Sequence, residues 1–143
     1  MSIQQEISRV IREVIQDTPG VEPALLDELA AVDYGREAAH GDLTTPVAMR
    51  LGKMLRQDPR PLAERIAEAI RKAGERLSGA VDHVEIAGPG FLNIRFSKRY
   101  WLGLIKTITA EGPRHGRSSV GRRRKVQIEF ASANPTGPLS VAH

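Results

Sequence analysis

Two alternating runs of apolar residues on either side of a Gly-Pro-Gly turn constrain the fold of this chain most. Val84 and Ile86 alternate with polar residues before Gly88-Pro89-Gly90, and residues 91–96 follow with the same period of two. Such alternation predicts two β-strands, and the glycines and proline between them predict a turn. The sequence therefore predicts an antiparallel hairpin, although a three-residue turn leaves the register of pairing open.

The second strand of this hairpin has two chemically different faces, because successive side chains of a strand point to opposite sides of a sheet. Its apolar face consists of Leu92, Ile94 and Phe96. Its other face consists of Phe91, Asn93 and Arg95. An aromatic ring can stack on an unpaired base, an amide can hydrogen-bond to a base edge, and a guanidinium can bind phosphate. The alternative is that Phe91 packs beneath a helix while the two polar side chains face water.

Helical periodicity accounts for most of the remaining chain up to residue 111. The pair Ser2 and Gln5 matches a capping box that precedes an amphipathic stripe. Thr45-Pro46 and Asp58-Pro59 each place a capping residue before a proline, which predicts two more helix starts. Ser97 predicts the start of the last helix. Together with the hairpin, these helices predict an α+β fold in which a small antiparallel sheet carries helices on one face.

The loop before the second helix contains His40 and Asp42, two residues whose chemistry could be catalytic. No nucleophile lies close to them in sequence, and a structural role is the favoured interpretation. We expect Asp42 to hydrogen-bond to turn amides. We expect Gly41 to adopt a backbone conformation that other residues resist.

The last nineteen residues, 125–143, have the pattern of the beginning of another domain. Lys125–Phe130 alternates like a strand, and two prolines and a glycine follow it before Leu139. A helix start is predicted from Leu139 onward, and a helix N-terminus can bind phosphate. A strand, a polar loop and a helix start in this order are typical of a nucleotide-binding α/β domain.

Three segments resemble the sequence motifs of the arginyl-tRNA synthetase family, a group of class I aminoacyl-tRNA synthetases. They read A-H-G-D-L-T-T-P at 39–46, A-G-P-G-F-L-N-I-R-F at 87–96, and E-F-A-S-A-N-P-T-G-P-L-S-V-A-H at 129–143. The third departs from the family at Ser140 and Ala142, where its ATP-binding motif has histidine and glycine. The three segments are distributed between residues 39 and 143, so the resemblance extends over most of the chain.

The resemblance implies a division into three parts. Residues 1–111 would form an N-terminal tRNA-contacting domain, 112–124 a basic linker, and 125–143 the start of a Rossmann-like catalytic domain. The full-length enzyme of the family attaches L-arginine to tRNA(Arg) with ATP, and Mg²⁺ accompanies the nucleotide. We expect the chain to be a fragment of such an enzyme, with no cofactor bound to it.

The resemblance also assigns site residues. Phe91 and Asn93 match the positions with which the family reads a base of the tRNA D-loop, and the strand face adds Arg95. The arginine-binding positions are matched by Glu129, Ser132 and Asn134. His143 matches the second histidine of the ATP motif and is the catalytic candidate.

We predict that this chain alone makes no aminoacyl-adenylate, because the family's later lysine-bearing loop and anticodon-binding domain are absent from it. The measurement is pyrophosphate exchange in the presence of arginine, ATP and tRNA. Exchange above the background without enzyme would contradict the prediction.

The net charge of +4 comes from one basic cluster, because the rest of the chain carries more acidic than basic residues. The cluster consists of Arg114, Arg117, Arg122, Arg123, Arg124 and Lys125. Such a run can contact nucleic-acid phosphates, which makes Arg122, Arg123 and Arg124 further candidates for tRNA binding. It can equally be a solvated linker, and both interpretations can hold together.

Composition excludes several other classes. The chain has no cysteine, and its four histidines lack the spacing of a metal site, so we predict no disulfide and no metal centre. No apolar run approaches the roughly 20 residues that span a bilayer, and the N-terminus does not resemble a signal peptide. We expect a cytoplasmic monomer. Two alternatives are a stand-alone RNA-binding module without catalytic activity and a structural interaction domain that binds no RNA.

Overall fold

A computed structural model describes residues 2–37, 40–121 and 124–129. The helices are α1 (Ile3–Ile15), α2 (Leu26–Leu29), α3 (Val47–Leu55), α4 (Pro59–Lys72) and α5 (Lys98–Glu111), with 3₁₀ turns at Pro23–Leu25 and Gly112–Arg114. The strands are β1 (Asp33–Tyr34), β2 (Leu43–Thr45), β3 (Val81–Ala87) and β4 (Phe91–Phe96). The chain divides into two compact units, Met1–Ala110 and Glu111–His143.

The four strands form one antiparallel sheet in the order β1-β2-β4-β3. The predicted hairpin is confirmed as β3 and β4, and its register pairs Ala87 with Phe91 and Ile86 with Leu92. A bulge lies between Val81 and His83 near the start of β3. The α+β class with a small antiparallel sheet is therefore confirmed.

One apolar core holds the first unit together, and the sheet contributes one face to it. Leu92 and Ile94 of β4 are fully buried, as the alternation predicts. Residues of α1, α3 and α4 pack against this face, and the fully buried ones include Ile7, Leu51 and Ile66. Burying each such aliphatic side chain stabilises the fold by about 1.5–3 kcal/mol.

Three of the four predicted helix caps, at Ser2, Asp58 and Ser97, are confirmed, and the one at Thr45 differs from its prediction. The Ser97 hydroxyl accepts a hydrogen bond from the Tyr100 amide at 3.1 Å at the start of α5. Ser2 and Gln5 form the reciprocal capping box of α1, and the Asp58 carboxylate accepts a hydrogen bond from the Arg60 amide at 3.0 Å. Thr45, however, is the last residue of β2, and Pro46 is the N-cap residue of α3. The buried Thr45 hydroxyl accepts a hydrogen bond from the Val47 amide at 3.3 Å and donates one to the Ala31 carbonyl at 2.8 Å, so it serves both the start of α3 and a tertiary contact.

The last helix, α5, contributes no buried residue. At its start the rings of Phe96, Tyr100 and Trp101 contact one another, with centroids 4.7–5.7 Å apart. Burial raises the pKa of the Tyr100 hydroxyl, and the neighbouring Tyr34 and Glu6 add to the shift. Tyr100 therefore remains a neutral ring beside β4 at ordinary pH.

The segment beyond the basic cluster differs from its prediction where it is described. Residues 124–129 form neither helix nor strand, and Val126 and Ile128 are exposed. A strand exists only through hydrogen bonds to a neighbouring strand, and within the described residues this segment has no strand partner. The predicted loop and helix start lie outside the described residues.

Candidate nucleic-acid interface

The sheet face opposite the core carries a continuous row of polar side chains. The register places Asp33 opposite Thr44, Thr44 opposite Asn93, and Asn93 opposite Glu85, one residue from each strand. Alternation puts all four on the face that the core helices do not cover. Four functional groups from distant parts of the chain are thereby brought into one line.

A cleft of about 780 Å³ opens onto this face. Its lining includes the rings of Tyr34 and Phe91, the cationic or polar side chains of Arg36 and His40, and the amide of Asn93. Ligand-binding clefts in proteins commonly measure about 300–1,000 Å³ and combine apolar walls with a few polar groups. The carboxylates of Asp33 and Glu37 also line this cleft. The cleft therefore has the size of a small-ligand or single-nucleotide site, with groups of both charges around an apolar wall.

Phe91 and Asn93 both line this cleft, as their place on β4 requires. The Phe91 side chain is 40% exposed and does not pack beneath a helix. Asn93 is only 5% exposed, and its Oδ1 accepts a hydrogen bond from Thr44 Oγ1 at 3.0 Å. Neither side chain therefore matches the alternative in which the ring is covered and the amide merely faces water.

Arg95 lies on the same face of β4 but is not among the residues that line the cleft. It is half-buried and pairs in register with His83. The guanidinium at the cleft belongs instead to Arg36, an exposed residue between β1 and β2. No periodic pattern in the sequence indicates Arg36, because it lies in an irregular loop.

The loop between β1 and β2 reaches the cleft because its end is fixed to β4. The Asp42 carboxylate accepts a hydrogen bond from the Phe96 amide at 2.7 Å, and the Asp42 amide donates to the Ile94 carbonyl at 2.9 Å. The prediction that Asp42 bonds turn amides is therefore wrong: its partner lies 54 residues away. Gly41 confirms its prediction with a φ of +76°.

His40, Tyr34 and Thr44 are cleft residues that the sequence did not identify as a site. The favoured interpretation gave the His40 loop a structural role, and the structure shows both that role, through Asp42, and a place for His40 at the cleft. Thr44 lies between the buried Leu43 and Thr45, and this alternation could have indicated that Thr44 is on the face opposite the core. A strand of three residues is too short for that signal to stand out.

The remaining predicted site residues lie in the second unit. Arg124 and Glu129 are described and exposed, as are Arg114, Arg117 and Lys125 of the basic cluster. Arg122, Arg123, Ser132, Asn134 and His143 lie outside the described residues. Within the described part of the chain, no group of His, Asp or Glu side chains could hold a metal ion. The same part contains no helix long and apolar enough to cross a membrane.

Comparison with known proteins assigns the first unit to a family. The protein-family model described as arginyl tRNA synthetase N terminal domain matches residues 1–96, more than half of this 143-residue chain. The chain therefore belongs to the arginyl-tRNA synthetase N-terminal domain family. The match ends at the last residue of β4, so it includes the whole sheet and the cleft residues described above.

Relatives named arginine–tRNA ligase are similar to it over most of its length. The relative from Nitrobacter hamburgensis is 43% identical over 125 residues, which cover 87% of this chain and 20% of the relative. One from Cereibacter sphaeroides is 47% identical over 122 residues, which cover 85% of this chain and 20% of the relative. One from Brucella ovis is 42% identical over 147 aligned positions, which cover 100% of this chain and 24% of the relative. The chain thus spans a quarter or less of the length of these relatives.

Proposed function

We propose that this chain supplies the tRNA-contacting domain of an arginine–tRNA ligase and that its cleft takes one base of the tRNA D-loop. The observation that carries the proposal is the cleft on the open sheet face, with the exposed Phe91 ring beside the Asn93 amide. The names of the relatives support tRNA as the partner.

The chemistry of the cleft suits an unstacked base better than a duplex. Sequence-specific RNA recognition mostly uses loop bases that stack on aromatic rings and hydrogen-bond along their edges. Phe91 provides the stacking surface, and Asn93 provides the edge contact within the same cleft. Arg36 is exposed at the cleft and can neutralise the phosphate of the bound nucleotide.

In the full-length protein this contact would orient tRNA(Arg) for arginylation. Glu129, Ser132 and Asn134 would bind L-arginine, because a carboxylate suits the cationic guanidinium and a hydroxyl and an amide suit the ammonium and carboxylate. His143 would contribute to the site of ATP, a substrate that arrives with Mg²⁺. Catalysis of this kind rests on positioning and on stabilisation of phosphate charge. A monomer in the cytoplasm is part of the same proposal.

The test compares binding of tRNA(Arg) with binding of the same tRNA carrying a changed D-loop base, at two salt concentrations. A single neutral hydrogen bond contributes about 0.5–1.5 kcal/mol, so the wild-type chain should discriminate roughly two- to tenfold. Asn93→Ala should bind both RNAs alike. The thermal midpoint of each variant is measured alongside, because Asn93 is buried.

Equal binding of both RNAs by the wild-type chain, with affinity lost at the higher salt, would contradict the proposal. It would mean that the basic cluster, which includes the exposed Arg114 and Lys125, attracts phosphates without recognising a base. Loss of discrimination in Asn93→Ala with retained folding supports it.

A further inference from the structure

Thr44 is a residue of the cleft that contacts Asn93 directly. We infer that Thr44 is a positioning residue that fixes the carboxamide of Asn93, so that Asn93 meets the base as a hydrogen-bond donor. The inference rests on the proposed function of the cleft and adds a chemical polarity to it: the recognised base edge presents an acceptor to Asn93.

The contact is built into the sheet. Thr44 of β2 and Asn93 of β4 are directly opposed in register, which holds their Cβ atoms within about 5.5 Å of each other. The Thr44 hydroxyl donates to Asn93 Oδ1 over 3.0 Å, although the two residues are 49 positions apart. Because the amide oxygen of Asn93 is bonded to Thr44 on the side of β2, the amide nitrogen lies on the side away from β2.

The charges around Asn93 favour the same orientation. Glu85 of β3 is directly opposite Asn93 on the side away from Thr44. A carboxylate only accepts hydrogen bonds, so it favours the NH₂ group of the amide and repels its oxygen. A hydroxyl can donate to an oxygen. Asn93 therefore lies between a donor and an acceptor that act in the same sense.

The opposing charge in the row is Asp33, which lies beyond Thr44 on the edge strand β1. Its carboxylate could draw the single Thr44 proton away from Asn93 and so reverse the amide. Asp33 and Glu85 are both exposed, however, and solvent screens their charges, whereas the contact between Thr44 and Asn93 is partly buried. The hydrogen bond from Thr44 is therefore the main restraint on the amide. The observed bond runs from Thr44 to Asn93.

Fixing the amide matters because its terminal torsion is soft. The χ2 angle of asparagine is broad and roughly two-fold, so an unrestrained carboxamide presents either oxygen or nitrogen to the cleft. If both orientations become equally populated, the competent fraction falls to about half and the affinity for the cognate base falls about twofold. A reversed amide also gains affinity for a base with a donor edge, which lowers discrimination further.

The first experiment measures the ratio of affinities for tRNA(Arg) and its D-loop base variant at one salt concentration, using the 143-residue chain. Thr44→Val keeps the shape and the strand propensity of threonine but removes the donor. Its ratio should fall at least about twofold, whereas Thr44→Ser should retain the wild-type ratio. In an Asn93→Ala background, Thr44→Val should leave the ratio of affinities unchanged, because no amide remains for Thr44 to position. A merely structural role of Thr44 would not require this result.

The second variant tests the polarity directly. Asn93→Asp keeps an oxygen that accepts from Thr44 but replaces the NH₂ donor by an acceptor. The added charge weakens binding to both RNAs, and the ratio cancels that effect. Discrimination should be lost as fully as in Asn93→Ala.

The outcomes separate this inference from the proposed function. If Asn93→Ala loses discrimination while Thr44→Val keeps it, or if Asn93→Asp keeps it, the positioning role is overturned and the base contact of Asn93 stands. If Asn93→Ala itself retains the wild-type ratio, the proposed base contact fails and the inference fails with it. Should Thr44→Val not fold, the results for Thr44→Ser and Asn93→Asp still decide.

Discussion

Replacing Gly41 by alanine is expected to lower the free energy of unfolding by about 2–5 kcal/mol. An alanine at the Gly41 φ of +76° costs roughly 1–2 kcal/mol. Its Cβ would also lie 2.7 Å from the Ile94 carbonyl oxygen, which belongs to the backbone of the central strand β4. Relieving that overlap requires the loop or the strand to shift, at a further cost of about 1–3 kcal/mol.

Gly79→Ala is the matched control for this substitution. Gly79 has a similar φ of +65°, but no atom lies within 4 Å of the position where its Cβ would be. It should therefore lose only the conformational part, roughly 1–2 kcal/mol. Urea unfolding of both variants and the wild type gives the comparison through the midpoint and slope. Equal losses in the two variants would show that the close approach to Ile94 contributes nothing.

Phe91→Ala is expected to weaken binding of tRNA(Arg) by roughly 5- to 150-fold. Stacking of one base on an aromatic ring contributes about 1–3 kcal/mol, and Phe91 is the aromatic residue of β4 that lines the cleft. Because its side chain is already 40% exposed in the free chain, its removal should change the free energy of unfolding much less than truncation of a core residue. Phe91→Tyr should restore most of the affinity, since the ring is kept.

Trp101→Ala is the matched control for the binding experiment. Trp101 is 42% exposed, close to the exposure of Phe91, but it lies on α5 and does not line the cleft. Its removal should leave RNA affinity unchanged. A similar loss in both variants would indicate that any exposed ring contributes to binding, and it would remove the special role of Phe91. Titration of fluorescently labelled tRNA gives both affinities.

The sequence predicted the parts of the fold that depend on local periodicity. The two faces of β4 follow from alternation alone, and the caps at Ser2, Asp58 and Ser97 follow from short patterns. The hydrogen bond from the Thr45 hydroxyl to Ala31 could not be predicted from such patterns, because it depends on how β2 meets the segment before β1.

The cleft could be predicted only in part for the same physical reason. Phe91 and Asn93 were identified from their strand face. Thr44 is placed by a long-range contact, and Arg36 and His40 lie on a loop whose end is held to β4 by Asp42. The bonds from Thr44 to Asn93 and from Phe96 to Asp42 join residues 49 and 54 positions apart. No local pattern encodes such pairings, since they are consequences of strand order and register.

The two outer strands of the sheet have a consequence for how the chain behaves at high concentration. Unpaired strand edges are templates for aggregation unless they are short, charged or distorted. At one edge, β1 has only two residues, both exposed. At the other, β3 carries Asp82, His83 and Glu85 and a bulge near its start. Neither edge offers a long, flat and apolar ladder, so the sheet is protected against growth by the addition of strands from other molecules.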